Sequence, residues 1–141
     1  MMNPITISLP VRSLAVSRAF FSHLGFRLSQ GPADADSASL VLGDGVRVLL
    51  VAEDHFRDRI NGDSSYGTGA GDVLISVPAR SEQEVDEIVM RAIVAGAKPW
   101  PVVGEWPVHG GSFQDPDGHL WQVTCPPATR QPAVAASRAA A

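Results

Sequence analysis

Apolar and polar residues alternate without interruption over the first seven positions after residue 4. In Ile5–Val11 the odd positions are apolar and the even positions are small or polar. A period of two predicts a half-buried strand whose odd face packs on a helix. Beyond Ser13, a residue type that caps helices, apolar residues such as Val16 and Phe20 recur at helical spacing until Gly25 ends the element. Residues 26–28 then return to extended structure.

A hairpin follows in the first half of the chain. Gly43-Asp44-Gly45 separates two apolar runs, residues 39–42 and 46–51, and an Asp-Gly pair in that position favours a tight hairpin. The second run is apolar except for Arg47, which predicts a central strand. Residues 53–60 are charged and fit a short helical or irregular crossover. Residues 61–71 contain four glycines and are predicted to form a flexible connection.

The second half repeats this order. Residues 72–78 read as a strand, and Ser81 with Glu84 forms a capping box for an amphipathic helix that Gly96 ends. Two strand candidates follow at residues 100–103 and 108–114. The turn Asp115-Pro116-Asp117-Gly118 then leads into a last strand, in which Trp121, Val123 and Cys125 share one face. Each half is therefore predicted to be βαβββ, with Val11 and Val77 as corresponding anchors.

Composition limits the classes of protein that fit. A chain of 141 residues is expected to form one domain over residues 1–127: a first module at about 3–60, a linker at 61–71 and a second module at 72–126. The Ala-rich tail, residues 128–141, is predicted to be disordered or a frayed helix. A net charge of −4 argues against a nucleic-acid partner. A single cysteine, no apolar run long enough for a membrane and no secretion signal predict a cytoplasmic location.

Three segments resemble one known superfamily. Residues 9–14, residues 17–26 and residues 113–122, which include the DPDGH turn, resemble the vicinal oxygen chelate superfamily of glyoxalase I, extradiol dioxygenases and the fosfomycin and bleomycin resistance proteins. The likeness is strongest to a glyoxalase-like bacterial branch and covers about residues 3–126. It implies an α+β fold of two tandem βαβββ modules, with a curved mixed sheet around a cavity. It also implies a homodimer.

The resemblance implies where a metal would bind. In metal-dependent members the ligands lie on the concave faces of the first and last strands of each half. Matched by register, Thr6 and Asp72 stand where the superfamily has histidines, and Gln122 stands where it has the closing glutamate. The fourth position falls in residues 46–52, which contain no carboxylate. The sequence therefore predicts no metal and no other cofactor, with a weakly bound divalent metal as the alternative.

The alternating strands also predict which residues line the cavity. The polar positions facing it are Thr6, Ser8, Asp72, Ser76, Gln122 and Thr124, with Leu74 among them. His109, beside Gly110-Gly111, fits a pocket residue and a surface strand residue equally well. Trp106 and Trp100 fit either a rim that stacks on a flat ligand or the cover of a sheet edge. His119 is interpreted as a strand-entry residue that hydrogen-bonds near the turn, and Cys125 as a buried packing residue.

Three functions are compatible with these residues to different degrees. The first is a metal-free binding protein that sequesters a small aromatic or cationic compound, which the missing ligands favour. The second is a glyoxalase-like lyase or isomerase, in which Asp72 would act as base. The third, an extradiol dioxygenase, needs two histidines and a carboxylate on iron, and the sequence does not supply them. The first two remain open, and both predict a small-molecule partner.

Overall fold

Two four-stranded sheets and three helices make up the described part of the chain. The computed structural model describes residues 5–29, 36–43, 45–60, 62, 73–100 and 110–125. The first half contains β1 (Ile5–Val11), α1 (Leu14–His23), β2 (Arg27–Ser29), β3 (Ser37–Val41), β4 (Val46–Ala52) and α2 (Glu53–Ile60). The second half contains β5 (Leu74–Pro78), α3 (Glu82–Val94), β6 (Lys98–Pro99), β7 (Gly110–Gln114) and β8 (Leu120–Thr124).

Strand order is the same in both sheets. The first sheet runs β1-β4-β3-β2 and the second runs β5-β8-β7-β6. In each, the outer strand that precedes the helix pairs in parallel with the last strand of its own half, while the other neighbours are antiparallel. The predicted α+β fold of two tandem βαβββ modules is thereby confirmed. The predicted central strand is also confirmed, because β4 lies between β1 and β3.

The helix boundaries follow the local signals in the sequence. The hydroxyl oxygen of Ser13 accepts a hydrogen bond from the Val16 N–H at 3.3 Å, and that of Ser81 accepts one from the Glu84 N–H at 3.1 Å. Glycines at positions 25 and 96 follow the helix ends with φ of 91° and 106°. Residues with a side chain are strained in this left-handed region, which explains why glycine occupies both positions.

One hydrophobic core serves both modules. α1 packs on its own sheet and also reaches the second: the ring centroids of Phe20 and Phe113 lie 6.0 Å apart, and those of Phe21 and Trp121 lie 5.1 Å apart. Trp121 and Cys125 are buried as predicted. The apolar stripe predicted for α1 differs from the structure at Val16, which is 53% exposed, and at Ala19, which is also exposed, while Ser17 between them is buried.

Several predicted segments differ in length or lie outside the described residues. Of the strand predicted at residues 72–78, β5 covers Leu74–Pro78. Of the strand predicted at 100–103, residues 101–103 lie outside the described ranges, and Trp100 follows the two-residue β6, Lys98–Pro99, without being part of a strand. The charged crossover is the helix α2. Most of the linker and the whole tail at 128–141 fall outside the described ranges. Within those ranges no helix has the length and apolar character needed to cross a membrane.

Candidate functional site

The turn before β8 is held by a buried carboxylate. One oxygen of Asp115 accepts the N–H groups of Asp117 at 2.8 Å and His119 at 3.0 Å, and the other accepts the indole N–H of Trp121 at 3.0 Å. Burial raises the pKa of Asp115, an effect that the nearby His119 and these donors partly offset. The carboxylate therefore organises the turn and orients the core tryptophan.

The same turn ties the second module to the first. Asp117 accepts hydrogen bonds from the Arg12 backbone N–H at 2.9 Å, the Arg12 Nε at 3.2 Å and the Ser17 hydroxyl at 3.1 Å. The Arg12 guanidinium also donates to the Pro116 carbonyl. This bonding explains why Ser17 is buried on α1, and it assigns Asp117 a structural role.

His119 takes part in this junction rather than in an open site. It is buried, and its Nε2 donates to the Pro10 carbonyl at 2.7 Å. The interpretation of His119 as a hydrogen-bonded strand-entry residue is confirmed. Its ring partner, however, lies in β1 of the other module, which the sequence pattern did not indicate.

A small surface pocket lies over the junction. It has a volume of about 210 Å³ and is lined by Arg12, Ser13, Val16, Pro116 and Asp117. Because Asp117 already neutralises the one cation in this lining, and the Ser13 hydroxyl caps α1, the pocket offers little unsatisfied polar chemistry.

Those predicted ligand residues that the structure describes lie on the sheet faces opposite the core, which we call the open faces. In the second sheet, the registers of β5, β7 and β8 place Ser76, Gln122 and Ser112 in one row across the open face. The Ser76 hydroxyl donates to Gln122 Oε1 at 2.9 Å, so the Gln122 amide N–H₂ is the part that remains for a ligand. Thr124 lies two positions along on the same face. Trp100, whose N–H bonds the Ser112 carbonyl, follows β6 and is 41% exposed.

Thr6 and Ser8 lie on the open face of the first sheet. They pair in register with Arg47 and Leu49 of β4. The structure thus brings the predicted residues together as two groups, one on each sheet, and no hydrogen bond in the described ranges joins the groups. Three further predicted residues, Asp72, Trp106 and His109, lie outside the described ranges.

The two modules can be aligned with each other by means of their helix caps. Ser13 caps α1 and Ser81 caps α3. An arginine lies one position before each serine, and a proline from the last two residues of the preceding strand lies three positions before it. Counting back from the caps equates Val11 with Ala79, rather than with Val77. The same count equates Thr6 with Leu74.

The strand registers extend this equivalence to the last strand of each half. Leu49 lies opposite Ser8 in the first sheet, and Gln122 lies opposite Ser76 in the second. Because the caps equate Ser8 with Ser76, Leu49 is the counterpart of Gln122.

Comparison with known proteins identifies the fold. The protein SA1046 of Staphylococcus aureus, described as hypothetical, superposes with a TM-score of 0.75 at 26% identity, over 89% of this chain and 95% of that one. A glyoxalase/bleomycin resistance protein/dioxygenase family enzyme of Burkholderia phytofirmans gives 0.74 at 16% identity, over 88% and 98% of the two chains. The chain has the vicinal oxygen chelate fold.

A third structure with the vicinal oxygen chelate fold was solved with a metal. The fosfomycin resistance protein FosX of Listeria monocytogenes, as a point mutant complexed with Mn(II) and dihydroxypropylphosphonic acid, has a TM-score of 0.61 at 17% identity, over 95% of this chain and 99% of that one. No protein-family model and no curated protein matches this sequence.

The resemblance to the vicinal oxygen chelate superfamily implies metal ligands on the first and last strand of each half, beginning with Thr6 and Gln122. The equivalence of the two modules adds Leu74 and Leu49, and this set of four residues does not suit a metal. Two leucines have no donor atom, a neutral hydroxyl is a weak ligand, and the Gln122 carbonyl oxygen already accepts from Ser76. In the described ranges no three His, Cys, Asp or Glu side chains come together in a way that could hold a metal.

Proposed function

We propose that this protein is a metal-free small-molecule binding protein that sequesters its ligand on the open faces of its two sheets. The observation that supports the proposal is the chemistry of Thr6, Leu49, Leu74 and Gln122, the four positions at which the resemblance implies metal ligands. A protein that polarised its substrate on a divalent metal would need imidazole or carboxylate there.

The second sheet offers the chemistry of a binding site for an uncharged or aromatic group. The Gln122 amide N–H₂ and the Ser112 and Thr124 hydroxyls provide directed hydrogen bonds. The exposed indole of Trp100 is placed to stack on a flat ligand. A few polar groups among apolar side chains are typical of small-molecule sites.

We infer further that the ligand cavity is completed by a homodimer in the cytoplasm. β1 and β5 are outer strands, so each leaves one backbone edge unpaired within the described sheets. Exposed apolar side chains lie at their starts, namely Ile5, Val73 and Leu74. A second copy would cover both features.

Sedimentation equilibrium tests the dimer. A dimer at micromolar concentration is expected, and Ile5→Glu should weaken it because the substitution puts a charge on the apolar start of β1. Val94→Glu, at an exposed position of α3 away from both strand edges, is the matched control and should weaken it less. A monomer at all concentrations would refute the dimer.

The metal-free proposal is tested by adding metals to chelator-treated protein and measuring whether any of them raises the melting temperature. Thermal melting is measured with Ni²⁺, Zn²⁺, Mn²⁺ or Fe²⁺, with elemental analysis of untreated protein in parallel. We expect no stoichiometric metal and no shift in melting temperature with any of the four. A stoichiometric metal with a shift that Gln122→Ala or Asp72→Ala abolishes would overturn the proposal.

A stoichiometric metal that stabilises the protein would favour a glyoxalase-like lyase or isomerase. The description of the Burkholderia phytofirmans relative as an enzyme is the observation that keeps this alternative. In it, Asp72 would act as the base, and Asp72→Asn would abolish turnover while leaving the melting temperature of the apo protein unchanged.

A further inference from the structure

Two arginines share one row across the open face of the first sheet. The registers pair Arg27 of β2 with Val41 of β3, Val41 with Arg47 of β4, and Arg47 with Thr6 of β1. Residues that pair directly across neighbouring strands point to the same side of a sheet. These four residues therefore form one line on the face opposite the core, which we call the arginine row.

The spacing of the arginine row suits convergence on one small group. Neighbouring strands lie about 4.8 Å apart, so the Cα atoms of Arg27 and Arg47, with one strand between them, are separated by about 10 Å. Two arginine side chains span such a gap from either side. Val41 between them gives a flat apolar floor, and all four residues of the row are exposed.

The charge of the arginine row is not balanced in the described structure. Neither Arg27 nor Arg47 belongs to an ion pair within the described ranges. Other arginines do: Arg12, Arg57 and Arg80 each pair with a carboxylate. No Asp or Glu occupies the described strand positions of this face. Two cations on a wet sheet face of a protein whose net charge is −4 leave a local positive site.

A second row supplies hydroxyl donors beside the arginines. Ser29, Ser39, Leu49 and Ser8 pair across the same four strands, two residues along. Ser39 is only 8% exposed, and its hydroxyl has no hydrogen-bond partner in the described ranges. Among the described residues, every side-chain polar atom without solvent access has a hydrogen-bond partner. Because the Ser39 hydroxyl has none, it must be accessible to solvent. It lies on the open face, where it can donate a hydrogen bond to a bound acceptor.

We propose that the arginine row binds the anionic head of a small organic molecule, a carboxylate, phosphate or phosphonate, held by Arg27 and Arg47 and by the Ser39 hydroxyl. Arginine matches such oxyanions with paired N–H donors. The inference rests on the proposed function, since it names the ligand class for the same open faces. It also changes an expectation from the sequence, because two arginines without an ion pair among the described residues disfavour a cationic ligand.

The experiment titrates the full-length, chelator-treated protein with probes that differ in their head group. Phenylphosphonate, benzoate and inorganic phosphate are compared with benzyl alcohol and benzamidine by isothermal titration calorimetry at fixed ionic strength. We expect saturable binding of the anionic probes and none of benzamidine. The affinities for benzoate and phenylphosphonate show whether the site prefers a carboxylate or a phosphonate. The affinity for inorganic phosphate, which has no ring, shows whether the aromatic part of a probe contributes to binding.

Variants connect the binding to the arginine row. Arg27→Gln and Arg47→Gln should each weaken the preferred anion about ten-fold. Arg47→Lys should restore only part of the affinity, because lysine keeps the charge but not the paired donors. Arg59→Gln, the same change at an exposed position of α2, is the matched control and should leave binding unchanged. Circular dichroism confirms that each variant is folded.

Three results would overturn the inference. They are the absence of anion binding, an equal loss in Arg59→Gln, and preferential binding of benzamidine. None of them would by itself refute the proposed function, which fails instead on a stoichiometric metal. Binding of benzyl alcohol alone, weakened by Gln122→Ala, would refute the anionic ligand and leave the binding function in place.

Discussion

Asp117 is the residue through which the second module is bonded to the first. Its buried carboxylate receives three hydrogen bonds, two from Arg12 and one from Ser17. All three donors lie in α1 or just before it, so the side chain acts at the junction of the modules. Its neighbour Asp115 acts within the turn and on the following strand, and the two acids can be tested separately.

Asp117→Asn should lower the free energy of unfolding by about 1.5–3 kcal/mol, the range for hydrogen bonds to a charged group. The amide keeps the shape but loses the charge and one acceptor. Urea denaturation measures the effect, and Asp58→Asn, at an exposed position of α2, should change stability very little. Equal effects of the two substitutions would contradict the structural role of Asp117.

The pH dependence of stability should reveal the burial of Asp115. Its folded-state pKa is raised above the unfolded value of about 3.9. The folded protein therefore holds this proton more tightly than the unfolded chain. The resulting stabilisation is complete below the unfolded pKa and is lost as the pH rises through the folded pKa.

Asp115→Asn removes this titration. Urea denaturation of both proteins at several pH values above 4 should show that the wild type loses stability relative to the variant as the pH rises. Groups common to both proteins cancel in the difference between their free energies of unfolding. If the wild type instead gains stability relative to the variant as the pH rises, the three N–H donors lower the pKa of Asp115 by more than burial raises it.

At the scale of elements, α3 approaches β7 too closely for a side chain at Gly111. A Cβ atom there would lie 2.7 Å from Val89 Cγ2. Gly111→Ala should therefore push the helix from the sheet and cost about 1–3 kcal/mol in the free energy of unfolding. Gly45→Ala is the control, because no atom lies within 4 Å of its added Cβ.

The contact can be isolated with a double-mutant cycle. Val89→Ala removes the methyl groups that a Cβ at residue 111 would meet, so the double variant should be destabilised by less than the sum of the two single variants. Thermal or urea unfolding of the four proteins measures the coupling. Strict additivity would show that the strain at Gly111 comes from another neighbour.

The elements were predictable wherever the determining signal is local. The alternation in β1, the caps Ser13 and Ser81, and the glycines after α1 and α3 each act within a few residues, and the structure confirms them. Val16 was grouped with the apolar stripe because spacing alone cannot show that Ser17 is held by a residue 100 positions away.

The site was less predictable because it depends on pairing between strands. An alignment of the two modules on Val11 and Val77 makes Asp72 the counterpart of Thr6. An alignment on the helix caps shifts this by two residues and makes Leu74 the counterpart. The arginine row emerges only when the registers of β2, β3 and β4 are known. A single sequence contains no direct signal for these registers.

For the whole molecule, the aromatic contacts of α1 with the second sheet predict one cooperative unfolding transition. Phe21 contacts the rings of Trp121 and Phe26, and it is fully buried. Phe21→Ala should cost about 3–5 kcal/mol in the free energy of unfolding and destabilise both halves together. Far-ultraviolet circular dichroism and tryptophan fluorescence should give coincident urea transitions in wild type and variant.

The control for this prediction is Val16→Ala on the exposed side of the same helix, which should change stability only slightly. Separate transitions by the two probes would show that the modules unfold independently, which would contradict a shared core.

The bonds between Arg12 and Asp117 also have a consequence for synthesis of the chain. These partners are 105 residues apart, and Phe20 and Phe21 of α1 complete their packing against aromatic rings of β7 and β8. On a ribosome, the amino-terminal module emerges long before those partners are translated. The part of the helix face that packs on Phe113 and Trp121 then stays exposed until β8 leaves the exit tunnel, and we expect the nascent chain to be most prone to aggregation during that interval.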